Sequence, residues 1–218
     1  RMNPHAKRLH EITYNEMMQM ACLGAGVLET RSVELASKYG VRLYLGRALE
    51  ENLDKGTYIM EKTKHLEDMP ITGISIKEDY AIMRVNDLPN DGKFLNSLFA
   101  MISQLDINLD TISQQLTHDG KVTFAFYCNK QQSDVILKNI DKLHSRYPIS
   151  RLLGFVKLSI VGVGISTHSG IAAKVLTTLS DHNIRYYQIT SSEISISLTI
   201  EEKDKLKAVE VLGKAFDL

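Results

Sequence analysis

The chain has 218 residues, of which 44% are hydrophobic and 24% are charged, so it can bury a core and is not a disordered polymer. Its 26 Lys and Arg residues balance its 26 Asp and Glu residues, which argues against a nucleic-acid-binding coat and against a polybasic membrane anchor. No apolar run approaches the ~18 residues of a membrane span. We expect a cytoplasmic protein of one or two domains whose two cysteines, Cys22 and Cys128, are reduced and buried.

The N-terminal segment shows helical periodicity, and residues 11–40 are predicted to form two helices. Thr13 and Glu16 have the spacing of a capping box ahead of an apolar face. The second helix, about 31–39, is predicted to end at Gly40. The sequence then favours a strand at 41–45 and a polar boundary segment at 46–70 that contains a short strand at 57–60.

After Pro70 the same order of elements occurs twice. In the first copy the sequence predicts a strand, a helix, a hairpin of two strands and a second helix, at 81–85, 94–105, 107–113, 121–128 and 135–143. In the second copy it predicts the same elements at 156–161, 171–179, 184–189, 194–200 and 205–216. Phe94 aligns with Ile171 and Leu98 with Val175, an offset of 77 residues that indicates an internal repeat.

Each copy lacks one strand of the ferredoxin-like βαββαβ fold. The second copy ends in a helix, so its missing strand must come from elsewhere in the chain. The unassigned strand at 71–76 is the obvious donor. The sequence therefore predicts an α+β fold in which the first copy is inserted into the second.

The two strand-to-helix loops, at 86–94 and 162–170, are the most informative candidate sites. Free N–H groups at a helix start carry partial positive charge and can bind a carboxylate or a phosphate. In the first loop Asp87 adds a carboxylate that can bind an ammonium group, so this loop offers contacts to both ends of an amino acid. The alternative is that Asp87, Ser166 and Thr167 only cap helices.

Catalytic motifs are weak in this sequence. The seven histidines form no closely spaced pair, and neither a nucleophile elbow nor a phosphate-binding Walker loop is present. We expect no catalytic residue and no metal site in this chain.

Three stretches resemble the tandem ACT domains of aspartate kinases. They are Ser-Ile-Val-Gly-Val-Gly at 159–164, His-Ser-Gly-Ile-Ala-Ala-Lys at 168–174 and Thr-Ser-Ser-Glu-Ile-Ser-Ile-Ser at 190–197. Residues 106–114 resemble the first ACT domain of that family, and residues 6–28 resemble the end of its amino-acid kinase domain. The resemblance implies a kinase-domain fragment and linker at 1–65, a first ACT domain at 79–150 and a second at 71–76 plus 154–218.

This resemblance also implies a function for the whole protein. Such an enzyme phosphorylates L-aspartate to 4-phospho-L-aspartate with MgATP, and its ACT domains bind L-lysine and/or L-threonine as feedback inhibitors and form a homodimer. The catalytic half would be a missing kinase domain outside this chain, and Arg1 would be the remnant of a nucleotide-binding motif. Gly26 stands where many members have a phosphate-contacting Lys. The alternative is a stand-alone regulatory subunit without catalytic activity.

Effector-binding residues are carried over position by position. Asp87 would bind the effector ammonium group, and the N–H groups of Phe94 and Leu95 would bind its carboxylate. Asp110 would bind a lysine side chain, or else make a structural hydrogen bond across the dimer. The other positions that match family contacts are Gly92, Lys93, Asn108, Leu109, Gln114, Ser192 and Glu193. For Ser192 and Glu193 the alternative is strand-end capping across the interface between the two ACT domains.

Overall fold

A computed structural model describes residues 2, 4, 6–48, 55–62, 70–140 and 147–218. The chain divides into two compact units. The outer unit comprises Arg1–Glu78 and Val156–Leu218, and the insert unit comprises Asp79–Phe155. The sequence of the insert unit thus interrupts that of the outer unit. Within the described residues, no helix is both long and apolar enough to cross a membrane.

The strands and helices follow the predicted α+β alternation. The strands are β1 (Glu11–Thr13), β2 (Leu43–Leu45), β3 (Thr57–Met60), β4 (Gly73–Pro89), β5 (Ile112–Leu116), β6 (Lys121–Asn129), β7 (Ile149–Val161), β8 (Tyr186–Ser191) and β9 (Ser195–Glu201). The helices are α1 (Tyr14–Cys22), α2 (Thr30–Lys38), α3 (Lys93–Gln104), α4 (Lys130–Asn139), α5 (Gly164–Thr167), α6 (Ile171–Asp181) and α7 (Lys205–Ala215).

The insert unit has a ferredoxin-like sheet in the strand order β5-β6-β4-β7. Strand β6 is antiparallel to both β4 and β5, as the predicted hairpin requires. The side chains of α3 and α4 pack on the sheet around Leu98, Ile136 and Phe126, which are fully buried. Burying this apolar surface is the main term that stabilises the unit.

The outer unit contains the second ferredoxin-like sheet, in the order β4-β7-β9-β8. The start of β4 lies beside the end of β7, and the Thr72 N–H donates to the Val161 carbonyl at 2.7 Å just before β4 begins. The donor strand predicted at 71–76 is therefore present in this sheet. Helices α6 and α7 cover one face, where Leu179, Leu198 and Leu212 are buried.

The N-terminal part of the outer unit forms a small three-stranded sheet in the order β1-β3-β2. Its core contains Ile12, Val33 and Ile59 under α1 and α2. The predicted capping box of Thr13 and Glu16 is confirmed at the start of α1. Sequence periodicity missed β1, because three residues are too few to show strand alternation.

The repeat is visible in the backbone of its two long helices. Helices α3 and α6 follow Gly92 and Gly170, which both adopt the left-handed conformation, and are followed one residue beyond their C-caps by left-handed Asp106 and Asn183. Asp106 and Asn183 keep the predicted offset of 77 residues. The two glycines are one residue further apart, so α3 is longer than α6 by one residue at its start.

Several predicted bounds were wrong for physical reasons. The separate strands at 71–76 and 81–85 are one strand, β4, which continues past the left-handed Asp79 (φ 54°) because Tyr80 already pairs with Asn129 of β6. Strand β5 begins at Ile112 rather than 107, after the left-handed Asp106 that terminates α3. The predicted helix at 135–143 begins earlier, at Lys130, and its last residues, 141–143, fall outside the described part of the chain.

The glycines of the Gly-Val-Gly loop after β7 allow two backbone segments to approach closely. A Cβ added at Gly162 would lie 2.2 Å from the Pro70 carbonyl oxygen, and one at Gly164 would lie 2.3 Å from the Pro70 Cα. The Gly164 N–H donates to the same Pro70 carbonyl at 3.1 Å. These glycines therefore have a packing role, which the sequence alone did not reveal.

We predict that Gly164→Ala lowers the free energy of unfolding by about 1–3 kcal/mol, because the added methyl group meets backbone that cannot move without breaking this contact. Urea unfolding followed by circular dichroism measures the change. Ser166→Ala, in the same loop and at an exposed position, is the control and should change stability by less than about 0.5 kcal/mol. Equal stability of the two variants would contradict the packing role.

The two thiols differ, and the expectation that both are buried was wrong for one of them. Cys128 lies in the interior face of β6 and is buried, whereas Cys22 is the last residue of α1 and is exposed. Burial raises the pKa of the Cys128 thiol to about 11, so almost no reactive thiolate forms near neutral pH.

We therefore predict that a disulfide reagent at pH 8 modifies one thiol per chain rapidly. Cys22→Ser should abolish this fast phase, and Cys128→Ser should leave it unchanged. Stopped-flow absorbance of the released thiolate measures both rates. Two equally fast equivalents in the folded protein would show that Cys128 is accessible.

Candidate effector site

The N-cap residue of α3 supplies no side-chain hydrogen bond to the backbone N–H groups of the first turn. This residue, Gly92, has φ 71° and no side chain, and the Asn96 N–H makes the first intrahelical bond to the Gly92 carbonyl at 2.9 Å. The Lys93 N–H donates to Asp91 Oδ1 at 3.1 Å. The N–H groups of Phe94 and Leu95 lie in the first turn, where an α-helix supplies no acceptor. They can therefore bind an anionic group.

Asp87 lies near this helix start, on the last residues of β4. It has φ 57° and occupies an irregularity in the pairing of β4 with β6 that falls between Val85 and Leu88. Its carboxylate is exposed. Asp119 is the main cause that raises the pKa of Lys121, and the charge of Asp87 adds to the effect, which places Asp87 near Lys121.

Asp110 lies between α3 and β5 and was wrongly assigned, with Asn108 and Leu109, to a strand. Its N–H donates to the Tyr127 carbonyl at 2.8 Å, and its carboxylate accepts a hydrogen bond from Thr111 Oγ1 at 2.9 Å. Burial, and secondarily the charge of Asp110, raises the pKa of the neighbouring Tyr80 hydroxyl. The Asp110 side chain is exposed, so it remains accessible to a ligand.

The predicted effector residues of the insert unit fall into two clusters at opposite ends of β6. The helix-start cluster contains Asp87 and residues 92–95, close to Lys121, whereas Asn108, Leu109 and Asp110 lie beside Tyr127. The register places Asp87 level with Thr123, and from Thr123 to Tyr127 the strand extends roughly 13 Å at ~3.3 Å per residue. In L-lysine six bonds of ~1.5 Å join the carboxyl carbon to the side-chain nitrogen, so a lysine of at most about 9 Å is shorter than this separation.

Gln114 lies on β5, the edge strand of the insert unit, opposite Phe124. Its neighbours on the same face, Ile112 and Leu116, are 52% and 64% exposed. The helices of the insert unit therefore leave this face of the edge strand uncovered. An exposed apolar edge strand is a surface on which another chain can pair.

Ser192 and Glu193 belong to the outer unit, in the tight hairpin between β8 and β9. The Ser192 N–H donates to the Ser195 carbonyl at 2.8 Å, and the Ser192 and Ser195 hydroxyls are hydrogen-bonded at 2.8 Å. Glu193 is exposed at the tip. These contacts give Ser192 a turn-forming role, and neither residue belongs to the two clusters of the insert unit. Arg1 lies outside the described residues.

The second candidate loop, after β7, contacts the carboxylate of Glu16, for which the sequence indicated only a role in the capping box. The Val163 N–H donates to Glu16 Oε1 at 3.3 Å. Apart from its place in the capping box, nothing in the sequence marks Glu16 as a partner of a loop 147 residues away. Within the described ranges, no cluster of three or more His, Cys, Asp or Glu side chains forms a metal site.

Comparison with known proteins decides the family. Residues 158–216 match the model of the ACT domain family. The aspartokinase of Bacillus sp. (strain MGA3) is 33% identical over 98% of this chain, which covers 52% of that protein. A chain in a crystal structure of aspartokinase alpha and beta subunits is 30% identical to this chain, with a TM-score of 0.58. The match covers 68% of this chain and 99% of that chain.

The chain belongs to the aspartate kinase family. It spans about half the length of the curated aspartate kinases that it matches, and its fold is that of their regulatory region. A structure of E. coli aspartokinase III in complex with lysine and aspartate has the same fold over 96% of this chain, with a TM-score of 0.75 at 19% identity.

In the present chain we predict that Asp91→Ala weakens the start of α3, because the Lys93 N–H loses its carboxylate acceptor. The expected loss is about 1 kcal/mol of unfolding free energy, measured by urea denaturation. Asp91→Asn, which keeps a side-chain oxygen in place, should retain most of the stability. If Ala and Asn are equally destabilised, the hydrogen bond is not the stabilising contact.

Proposed function

We propose that this chain is the amino-acid-sensing region of an aspartate kinase. The whole enzyme transfers a phosphoryl group from MgATP to the side-chain carboxylate of L-aspartate and forms 4-phospho-L-aspartate. L-lysine and/or L-threonine binds the first ACT domain, at 79–150, and lowers the activity of the kinase domain. Because a ligand shifts an equilibrium only through differential affinity, the effector must bind the inhibited state more tightly.

One observation carries this proposal: the helix-start cluster offers complementary groups to an amino acid. The N–H groups of Phe94 and Leu95 suit its carboxylate, and the exposed carboxylate of Asp87 suits its ammonium group. Asp87 and α3 are joined by a short turn, so both lie at the same end of the insert-unit sheet. The ACT family match and the lysine-bound relative of the same fold support the same class of ligand.

Asp110 fits this proposal only if a second copy of the chain completes the site. Along β6 it lies roughly 13 Å from the level of Asp87, more than the length of one lysine, and its exposed carboxylate suits a side-chain ammonium group. Pairing of two insert units along their edge strands would cover Ile112 and Leu116 and bring residues of one copy to the other. We therefore propose a homodimer in which each effector contacts Asp87 of one copy and Asp110 of the other.

The first test is isothermal titration of the chain with L-lysine and with L-threonine separately. If lysine is the effector, Asp110→Ala should weaken its affinity at least tenfold, because a charge-assisted contact is lost. Asp181→Asn, an exposed carboxylate in the outer unit, is the matched control and should not change the affinity. An unchanged affinity of Asp110→Ala would refute the role of Asp110.

The second test separates a shared site from a site within one chain. Asp87→Ala and Asp110→Ala should each abolish strong lysine binding when measured alone. After subunit exchange, a mixed dimer has one site with both carboxylates intact, so titration of the mixture should recover binding in a fraction of the chains. No recovery, together with proof of mixed dimers by native mass spectrometry, would contradict the shared site.

Nucleotide binding belongs to the proposal for the whole protein. Arg1 falls outside the described residues, and Gly26 has no side chain with which to contact a phosphate. A Cβ at Gly26 would approach only the Gly24 carbonyl oxygen, at 4.0 Å, so the position is not crowded. Its φ of 64° would nevertheless strain any residue other than glycine at this position. The described residues therefore present no phosphate-binding cation at this position, and MgATP would be held by the kinase domain.

The second candidate is a regulatory subunit without kinase activity. The match to a chain from a structure of aspartokinase alpha and beta subunits, 99% of which is covered, favours this alternative. Expression of the complete gene and an ATP-dependent assay with L-aspartate would separate the two candidates. An aspartate-dependent turnover inhibited by the bound amino acid supports the enzyme, whereas effector binding without turnover supports the subunit. A chain that binds neither lysine nor threonine would be only a dimerisation module.

A further inference from the structure

The carboxylate of Glu16 is enclosed by hydrogen-bond donors in the outer unit. Only 3% of the residue is exposed. Oε2 accepts hydrogen bonds from the Thr13 N–H at 3.2 Å and from the Thr13 hydroxyl at 2.7 Å. Oε1 accepts hydrogen bonds from the Thr72 hydroxyl and from the Val163 N–H at 3.3 Å. Donors from three separate segments therefore converge on one buried group.

This arrangement fits an ionised carboxylate. An ionised Glu accepts hydrogen bonds through both oxygens and donates none, and here each oxygen faces two donors. A buried carboxylate without such partners would be strongly destabilising. The donors in turn would be left unsatisfied without it, so the four groups and the carboxylate form one unit.

Three successive N–H groups in the loop after β7 have acceptors within the outer unit. Gly162 donates to the Ile194 carbonyl at 3.0 Å, Val163 to Glu16, and Gly164 to the Pro70 carbonyl. This loop lies ahead of α6 and is distinct from the start of that helix at Gly170, which, like the start of α3 at Gly92, has no side-chain cap.

We infer that the loop after β7 is an anion-binding site whose ligand is the chain's own Glu16. Helix α1, in the small N-terminal part of the outer unit, thereby places a buried carboxylate against the loop after β7. This contact couples α1 to the ferredoxin-like sheet of the outer unit.

Chemical rescue of Glu16→Ala in the full chain tests this inference. The substitution removes a group of the size and charge of acetate and leaves its four donors in place. Added sodium acetate should raise the melting temperature of the variant above that in sodium chloride of equal concentration. It should also shift the Val163 amide resonance saturably. Wild type and Glu34→Ala, which removes an exposed carboxylate paired with Arg31, should show neither effect.

Identical behaviour of Glu16→Ala in acetate and chloride would overturn the inference. If this variant does not fold, Glu16→Gln provides the decision, because it keeps the shape but turns an amide donor towards two donors. Hydrogen exchange of the Val163 amide should then become at least tenfold faster, while Gly162, bonded to Ile194, should be unchanged. Unchanged Val163 exchange would equally overturn the inference. Because these measurements concern the outer unit alone, their failure would leave the effector site of the insert unit intact.

Discussion

The contact on which the outer unit depends is the close approach of two backbone segments, the one at Pro70 and Ile71 and the loop at Gly162 and Gly164. Any side chain at either glycine would overlap the Pro70 backbone. The approach allows the Gly164 N–H to bond to Pro70 and brings Thr72 to the carbonyl of Val161. From Thr72 onward the chain joins the sheet as β4, so the strand that the second repeat lacks is supplied at this point.

Glu16 adds a polar link to the same place. Its carboxylate receives donors from the N-cap of α1, from Thr72 and from Val163, so the small N-terminal sheet and the ferredoxin-like sheet share one buried charge. Buried charges are stable only when all their hydrogen-bonding capacity is used. Because all four donors must reach the carboxylate at once, the Glu16 contacts fix the distances between the three segments that contain Thr13, Thr72 and Val163.

The two repeats share the backbone at the start of their long helices. Gly92 precedes α3 and Gly170 precedes α6, both are left-handed, and neither start has a side-chain cap. The outer unit differs in the loop that directly follows β7, whose N–H groups bond to Ile194, Glu16 and Pro70. That loop joins parts of the outer unit because of what packs against it and not because of the repeat itself.

The sequence by itself determined the repeat, the order of its elements and the insertion of one copy in the other. These features follow from apolar periodicity, which reports the buried face of each helix, and from the strand that each copy lacks. The alignment of α3 with α6 at an offset of 77 residues held because both helices bury the same stripe and both are followed by a left-handed residue. The Thr13 and Glu16 capping box was equally local and equally predictable.

Only the tertiary structure decided which candidate residues lie together. Local patterns could not show that Asp87 and Asp110 lie at opposite ends of β6, because that separation depends on the direction of α3 and the register of the sheet. Nor could they show that Gly162 and Gly164 face Pro70, or that Val163 bonds to Glu16. These contacts join residues far apart in the chain, and their geometry exists only once the packed elements have fixed the position of each backbone.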